Sequence, residues 1–533
     1  GPIMDQIGLF KRSIIIKVTE PIFTGVAMVR SDYSWIYPSQ SDNTADDGGT
    51  TTYRRLYHGI RSAILDGRLH PGERLPASRD LAKSLGISRN TVVTSFDLLT
   101  SEGYLETRVG AGSFVASTLP DRDMQTGDQG PDKKSQTAND RPIRLSQSAT
   151  RMLTYQRRFP RFRIARPFNP ATPDLDGFPF DLWARLLRRS WRAPDIDLTI
   201  PDDPLGLPLL RSEIAKWLRQ SRGVNCNADQ VMIVSGAQQA LDLAARALVD
   251  PGDIIATEDP GYEGIRGVLA ASGAVVQPIT VDEDGLDIEG LARTPSPARI
   301  VVTTPSRNYP LGTTLSLARR LALLQWAQDN DAWIVEDDYD SEYRYDGPPL
   351  SSLQGLDTDN RVIYVGTFSR VLFPGIRLGY LVLPPALVPA FRGIRGFADG
   401  VPAPTTQAAL GAFFAEGHFG SHVRKMRLRY GERRSHLQNL ITADASDILS
   451  VMPSDGGLHL CARLIGDQDD IEMQEALVKA DLDCRALSSY FHDPRSKSGP
   501  EPVRGLVLGF AGWKKDVLSE SFSELVRTIR RKS

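Results

Sequence analysis

From about Pro167 onward the chain alternates between two kinds of segment, and this alternation restricts its fold more than any other feature. Short apolar, β-branched runs occupy residues 231–235, 254–257, 300–303, 333–336 and 362–366, and each ends in polar or Gly/Pro residues. Helical stretches separate them. Such alternation marks an α/β domain with a mostly parallel sheet. At 533 residues, with 41% hydrophobic and 24% charged side chains, the chain can bury a sizeable core. At about 150 residues per domain it has room for roughly three or four units.

The N-terminal half is organised differently. Residues 1–50 give a mixed signal: Ser13 to Ile16 suit a strand, the segment from Ser39 to Thr52 reads as polar loop, and no role is assigned. Residues 51–117 are compact and helical. Residues 118–165 read as a linker, because Thr118 to Arg141 is rich in Asp, Gln, Gly, Pro, Lys and Ser and cannot bury enough surface to offset its ordering entropy. Residues 166–533 form the large α/β module.

Within the helical module, Leu56, Ile60, Ala63 and Ile64 share one helical face. Ser78 is placed to cap a short helix that Gly86 ends, since glycine takes positive φ at little cost. Ser88 is placed to cap a second helix that buries Val92, Phe96 and Leu99. Tyr104 to Arg108 and Ser113 to Val115, joined through Gly110 and Gly112, read as a hairpin. Helix, glycine turn, capped helix and hairpin make a winged helix-turn-helix whose second helix reads DNA. Nine basic against six acidic residues give the module a net charge of +3, a sign that suits phosphate contact. A small helical protein-interaction domain is the plainer alternative. The stretches LHPGERLPASRDLAKSLGISRNTV and EGYLETRVGAGSFVAS resemble the GntR-type winged helix. That resemblance implies that Arg79 and Arg89 contact DNA, with Ser88, Asn90 and Thr91 at the start of the reading helix and Gly112 in the wing.

Bulk composition adds exclusions. Lys+Arg 63 against Asp+Glu 65 points neither to nucleic acid nor to a membrane. Cys226, Cys461 and Cys484 are odd in number and widely spaced, which excludes a disulfide framework and a CxxC metal site. No run reaches the roughly 18 apolar residues of a membrane span, and residues 7–30 lack a signal-peptide cleavage site. The expectation is a cytoplasmic protein without metal.

Three loops of the large module carry chemistry. Ser235-Gly236-Ala237 follows an apolar run and opens a helix, an arrangement that suits an anion. Glu336, Asp337 and Asp338 end another run. Consecutive acids there usually mean a solvated edge or helix caps, yet an acid ending a buried strand can also hold a protonated ring nitrogen. Thr367, Ser369, Arg370 and Arg377 bring two hydroxyls and two guanidinium groups within about a dozen positions, a set suited to phosphate.

Together with Pro204-Leu205-Gly206, Glu258 to Tyr262, Pro310-Leu311-Gly312 and Gly456 to Leu460, these loops resemble the fold-type I aminotransferases. The whole chain resembles the MocR-type regulators, in which a GntR winged helix is fused through a linker to an aminotransferase-like domain. The resemblance implies a large domain with a mixed, mostly parallel sheet, a small α+β C-terminal subdomain, a homodimer, operator DNA as partner and an anionic small-molecule effector. It implies pyridoxal 5′-phosphate as cofactor, with Asp337 at the pyridine nitrogen, Tyr339 near the 3-hydroxyl and Tyr262 on the ring. Ser235, Gly236, Ala237, Thr367, Ser369 and Arg377 would surround the phosphate, and Tyr309 and Arg370 complete the set.

The departures matter more than the matches. Where the family has the lysine that forms a Schiff base with the cofactor aldehyde, this chain has Arg370, and it has no lysine between Lys216 and Lys425. A guanidinium stays protonated and supplies no free amine. Arg307-Asn308-Tyr309 replaces the family's His-Gln-aromatic, and Val507 falls where an aminotransferase binds its substrate carboxylate with arginine. The expectation is a DNA-binding regulator that senses an effector, inactive in transamination, with the cofactor held noncovalently or absent. The alternatives are a pyridoxal-phosphate-dependent enzyme with a DNA-binding appendage, and an interaction scaffold in which both modules have lost their ligands.

Overall fold

The three-dimensional structure is a computed structural model that describes residues 33, 36, 37, 52–108, 110–118, 144–154, 165–192, 194–347, 350–493 and 502–532. The readings of residues 7–30, 13–16 and 39–51 lie outside the described residues, as does most of the linker. The chain divides into two units, residues 1–142 and 143–533.

In the first unit, α1 (Thr52–Leu65) buries Leu56, Ile60, Ala63 and Ile64, the face its periodicity marks. It packs on α3 (Arg89–Ser101), which buries Val92, Phe96 and Leu99. Fully burying apolar side chains of this size contributes about 1.5–3 kcal/mol each. Tyr33 and Ile36 join the same core. Their approach explains Gly59, where a Cβ would sit 1.8 Å from the Ile36 carbonyl oxygen. Between these helices, α2 (Ser78–Leu85) ends at Gly86 with φ 65°. The expectation that Ser78 caps α2 is corrected: the cap position is Ala77, no side chain caps the helix, and Ser78 is already helical. Ser88 does cap α3, accepting from the Thr91 amide at 3.2 Å. Strands β1 (Leu105–Arg108) and β2 (Gly112–Val115) pair antiparallel as the wing.

The second unit holds two sheets. The large sheet contains β3 (Val231–Val234), β4 (Ile254–Asp259), β5 (Val275–Asp282), β6 (Gly285–Leu286), β7 (Ile300–Thr303), β8 (Trp333–Asp338), β9 (Val362–Thr367) and β10 (Gly379–Val382). Their order is β3-β10-β9-β8-β7-β4-β5-β6. The run β9-β8-β7-β4-β5 is parallel, while β10 lies antiparallel to both neighbours. The C-terminal ends of β3, β4, β7, β8 and β9 therefore share one edge with the start of β10. Strands β3 and β7 are buried along their whole length, as strands covered on both faces must be.

The small C-terminal sheet is antiparallel, with β11 (Leu449–Val451), β12 (His459–Leu464), β13 (Arg485–Ala486) and β14 (Gly505–Gly509) in the order β11-β12-β14-β13. Within the stretch read as linker, Gln147–Thr154 forms a helix packed on the helix Glu263–Ser272. Two bonds fix it there: Ser148 Oγ donates to the Ala271 carbonyl at 2.8 Å, and Arg151 Nε donates to that of Ala270 at 3.0 Å. Among the described residues no helix is long and apolar enough to cross a membrane.

Candidate functional site

An open sheet offers its ligand crevice outside the carboxyl ends of its strands, where loops leave backbone groups unpaired. A cavity of about 730 Å³, counted to its open mouth, lies at that edge of the large sheet. Ser235, Gly236 and Ala237 line it after β3, Tyr262 after β4 and Tyr309 after β7. Asp337 and Tyr339 line it at the end of β8, Thr367, Ser369 and Arg370 at the end of β9, and Arg377 just before β10. All the residues singled out for the cofactor thus border one cavity. Sequence reasoning missed Gln238 and Thr304, which also line it. Their signal was position, since each directly follows a strand end or its turn.

The three acids of β8 divide sharply, and none lies at a solvated edge; all three are buried. Glu336 accepts from the amides of Leu353 at 2.9 Å and Gln354 at 2.8 Å. Asp338 pairs with Arg222 at 2.9 Å and accepts from Ser341 at 2.8 Å and from Tyr364. Asp337 is the one that borders the cavity, and its Oδ1 is buried with no hydrogen-bond partner. Burial first, then the charges of Asp338 and Glu258, push its carboxyl up to about 7, against the opposing pull of Arg370.

The turn after β3 could receive an anion, although the Ser235 amide already donates to Gln239 Oε1 at 2.7 Å. Gly236 has φ 116° and precedes the helix Ala237–Leu248, which no side chain caps. An uncapped first turn leaves amide groups and the positive end of the helix dipole available. The same turn lies against β10, where a Cβ on Gly379 would come 3.0 Å from the Gly236 Cα. Arg377 is exposed and held at φ 50°.

Aromatic rings build the middle. Tyr309 is buried and meets Tyr262, Tyr339 and Tyr490 edge-on, with ring centroids 5.9, 5.6 and 5.3 Å apart. Tyr339 accepts from Arg307 at 3.0 Å. Arg307, which replaces the expected histidine, also pairs with Asp340 at 3.2 Å and donates to the His459 carbonyl at 2.9 Å. Behind the rim, Glu258 accepts from Thr303 at 2.6 Å, from the Thr304 amide at 2.9 Å and from Asn308 at 2.9 Å, joining the ends of β4 and β7.

Arg370 stands among these rings. Its guanidinium lies 5.4 Å from the Tyr309 ring centre and 5.5 Å from that of Tyr339, and it donates to the Pro170 carbonyl at 2.7 Å. Burial opposes its charge, but Tyr309, Asp340 and Tyr339 more than offset that, so the group stays protonated. Among the described residues no lysine borders the cavity. Val507 is buried in β14 beside Arg485 of β13, and Arg504 donates to the Asp467 carbonyl. Sequence reasoning missed Arg485, whose charge is upheld by Tyr490, Tyr309 and Asp483 against the cost of burial.

In the first unit Arg79, Ser88, Arg89, Asn90 and Gly112 are exposed, and Thr91 is half-buried. Ser88 and Thr91 engage each other, with Oγ and Oγ1 2.8 Å apart. Arg79 lies in the first turn of α2 and Arg89 opens α3. Arg74, which sequence reasoning also missed, lies under the wing with its guanidinium against Gly112.

Residues 52–115 match the family described as "Bacterial regulatory proteins, gntR family", and residues 197–489 match "Aminotransferase class I and II". The probable rhizopine catabolism regulatory protein MocR of Rhizobium meliloti is 40% identical over 480 residues, covering 90% of this chain and 94% of that protein. The chain is a MocR-type transcriptional regulator of the GntR family. A second MocR-type relative, the HTH-type pyridoxine biosynthesis transcriptional regulator PdxR of Corynebacterium glutamicum, is 32% identical over 479 residues, 89% of this chain and 95% of that protein. Among solved structures, a kynurenine aminotransferase of Pyrococcus horikoshii superposes with a TM-score of 0.63 at 24% identity, covering 73% of this chain and 96% of that one. That likeness concerns the fold of the aminotransferase-like part of this MocR-type chain.

Proposed function

We propose that this regulator binds operator DNA through α3 and its wing, and that its aminotransferase-like unit senses a phosphorylated pyridine ligand of the pyridoxal phosphate class, held without a covalent bond. The observation that carries this reading is the buried Asp337 Oδ1, without a hydrogen-bond partner among the described residues and set in one cavity with the Gly236 turn. A lone buried acceptor is costly unless a donor reaches it, and a protonated ring nitrogen is such a donor.

The residues fit the ring and the phosphate. Ser235 to Ala237, Thr367, Ser369 and Arg377 would hold the phosphate, Asp337 the ring nitrogen, and Tyr262 one ring face. Pyridoxal phosphate supplies, when bound, an electron-withdrawing ring and an aldehyde. The residues do not fit the covalent link, because Arg370 offers no free amine. Asp337 would accept from the ring nitrogen, the tyrosine rings line the ring side, and Arg307 donates to Tyr339. Among the described residues no lysine lines the cavity to shuttle a proton, which supports a sensor over a transaminase.

The dimer is part of the same proposal. Ile196, Ile200 and Leu209 leave apolar surface exposed near the helix Pro404–Ala415, and a second copy would cover it. Two copies would present two reading helices to a repeated operator. Dialysis tests the ligand reading: pyridoxal 5′-phosphate should bind, leave completely on dialysis, and add no mass to the protein after borohydride treatment. A stoichiometric borohydride-fixed adduct would overturn it.

A further inference from the structure

Arg370 brings its charge to the cavity it lines. Among the described residues its guanidinium makes no ion pair, and its hydrogen bond from Nη1 goes to a neutral carbonyl, that of Pro170. Asp340, which favours the charge of Arg370 from a distance, is itself paired with Arg307 at 3.2 Å. Arg370 is half-buried, and the exposure it keeps is to the cavity it lines. A partly desolvated cation that no carboxylate contacts directly gains when an anion reaches it.

The phosphate does not serve as that anion. Arg377 and the Gly236 turn would hold it, whereas Arg370 stands over the Tyr309 and Tyr339 rings. Of the groups that favour its charge, Tyr309, Tyr339 and Tyr262 line the cavity on its ring side. The cavity therefore has two cationic ends with the buried Asp337 Oδ1 as a third point. A guanidinium fork held at one corner by Pro170 leaves an N–H edge whose geometry matches a carboxylate.

We propose that the effector carries a carboxylate on the ring substituent opposite Arg370, where the family's aldehyde meets its lysine. The ligand class is a phosphorylated pyridine carboxylate, with phosphate at Arg377, ring nitrogen at Asp337 and carboxylate at Arg370. This inference rests on the reading of the cavity as a pyridine-phosphate site.

The test is calorimetric titration of the full chain with two probes that differ at one carbon: pyridoxine 5′-phosphate, an alcohol, and its 4-carboxylate counterpart. The carboxylate should bind at least tenfold more tightly. In Arg370→Gln the two affinities should converge, and in Arg370→Lys, which keeps a charge but loses the fork, part of the margin should survive. Equal or weaker binding of the carboxylate by the parent protein overturns the inference and leaves the noncovalent reading standing. Failure of both probes to bind overturns both. The parent comparison needs no variant, so a substitution that fails to fold does not weaken it.

Discussion

Arg222 Nε lies 2.9 Å from Asp338 Oδ2, and both side chains are almost completely buried. Through this pair the helix Pro208–Arg222 holds the end of β8, one residue from the carboxyl that borders the cavity. Removing one partner of a buried pair leaves an uncompensated charge, which costs about 3–5 kcal/mol. Arg222→Met should lower stability to urea by that amount, and adding Asp338→Asn should recover part of it. A loss below about 1 kcal/mol in the single variant would contradict the pairing.

Asp337 should make the stability of the unliganded protein depend on pH. Its carboxyl is raised from the ordinary value of 3.8 to about 7 by burial and neighbouring charge, so between those values the folded state holds a proton that the unfolded chain releases. Stability from this group is complete below about pH 4 and is lost as pH rises through about 7. Asp337→Asn should remove part of that decline, about 1–3 kcal/mol between pH 5 and 8, while weakening the binding of pyridine phosphates. Glu336 and Glu342, raised to about 7 as well, and Glu258 and Asp340, also raised by burial, sustain the rest of the decline. Chemical unfolding of parent and variant at both pH values measures the difference.

The two serines of the helix-turn-helix should behave oppositely. Ser88 accepts from the Thr91 amide, whereas Ser78 caps nothing. Losing an N-cap costs about 1 kcal/mol. Ser88→Ala should therefore reduce the hydrogen-exchange protection of α3 about fivefold, and Ser78→Ala should leave that of α2 almost unchanged.

Arg79 and Arg89 open adjacent helices and are both exposed. If Arg89 reads a base edge, Arg89→Ala should cost about 1–3 kcal/mol on the operator and relax sequence preference. If Arg79 meets phosphate, Arg79→Ala should weaken all sequences alike and lower the salt slope by about one. Fluorescence anisotropy at fixed and at varied salt separates the two. An unchanged operator affinity in Arg89→Ala would remove it from the interface.

Much of this was legible because local signals agreed with the tertiary structure. The caps at Gly86 and Ser88 and the apolar faces of α1 and α3 are read from spacing alone. The runs that became β3, β4, β7, β8 and β9 were visible for the same reason. Strand β10 was not, because its four residues follow a loop already marked as phosphate-like, and its antiparallel direction is set by partners far away in sequence. The division of labour among Glu336, Asp337 and Asp338 was also hidden. It depends on Leu353, Gln354 and Arg222, and no periodicity connects those residues to β8. Ser78 misled because the helix already begins at that residue, with Ala77 in the cap position.

With arginine at position 370, a ligand aldehyde meets no free amine there. The measurement that reaches this most directly is titration of the parent protein with pyridoxal 5′-phosphate and pyridoxine 5′-phosphate side by side, with Arg370→Lys as the comparison. The parent should bind aldehyde and alcohol with affinities within a factor of ten, a difference under about 1.4 kcal/mol. The Arg370→Lys variant should gain a clear preference for the aldehyde. A preference of tenfold or more for the aldehyde in the parent, or no binding of either compound, would contradict the account.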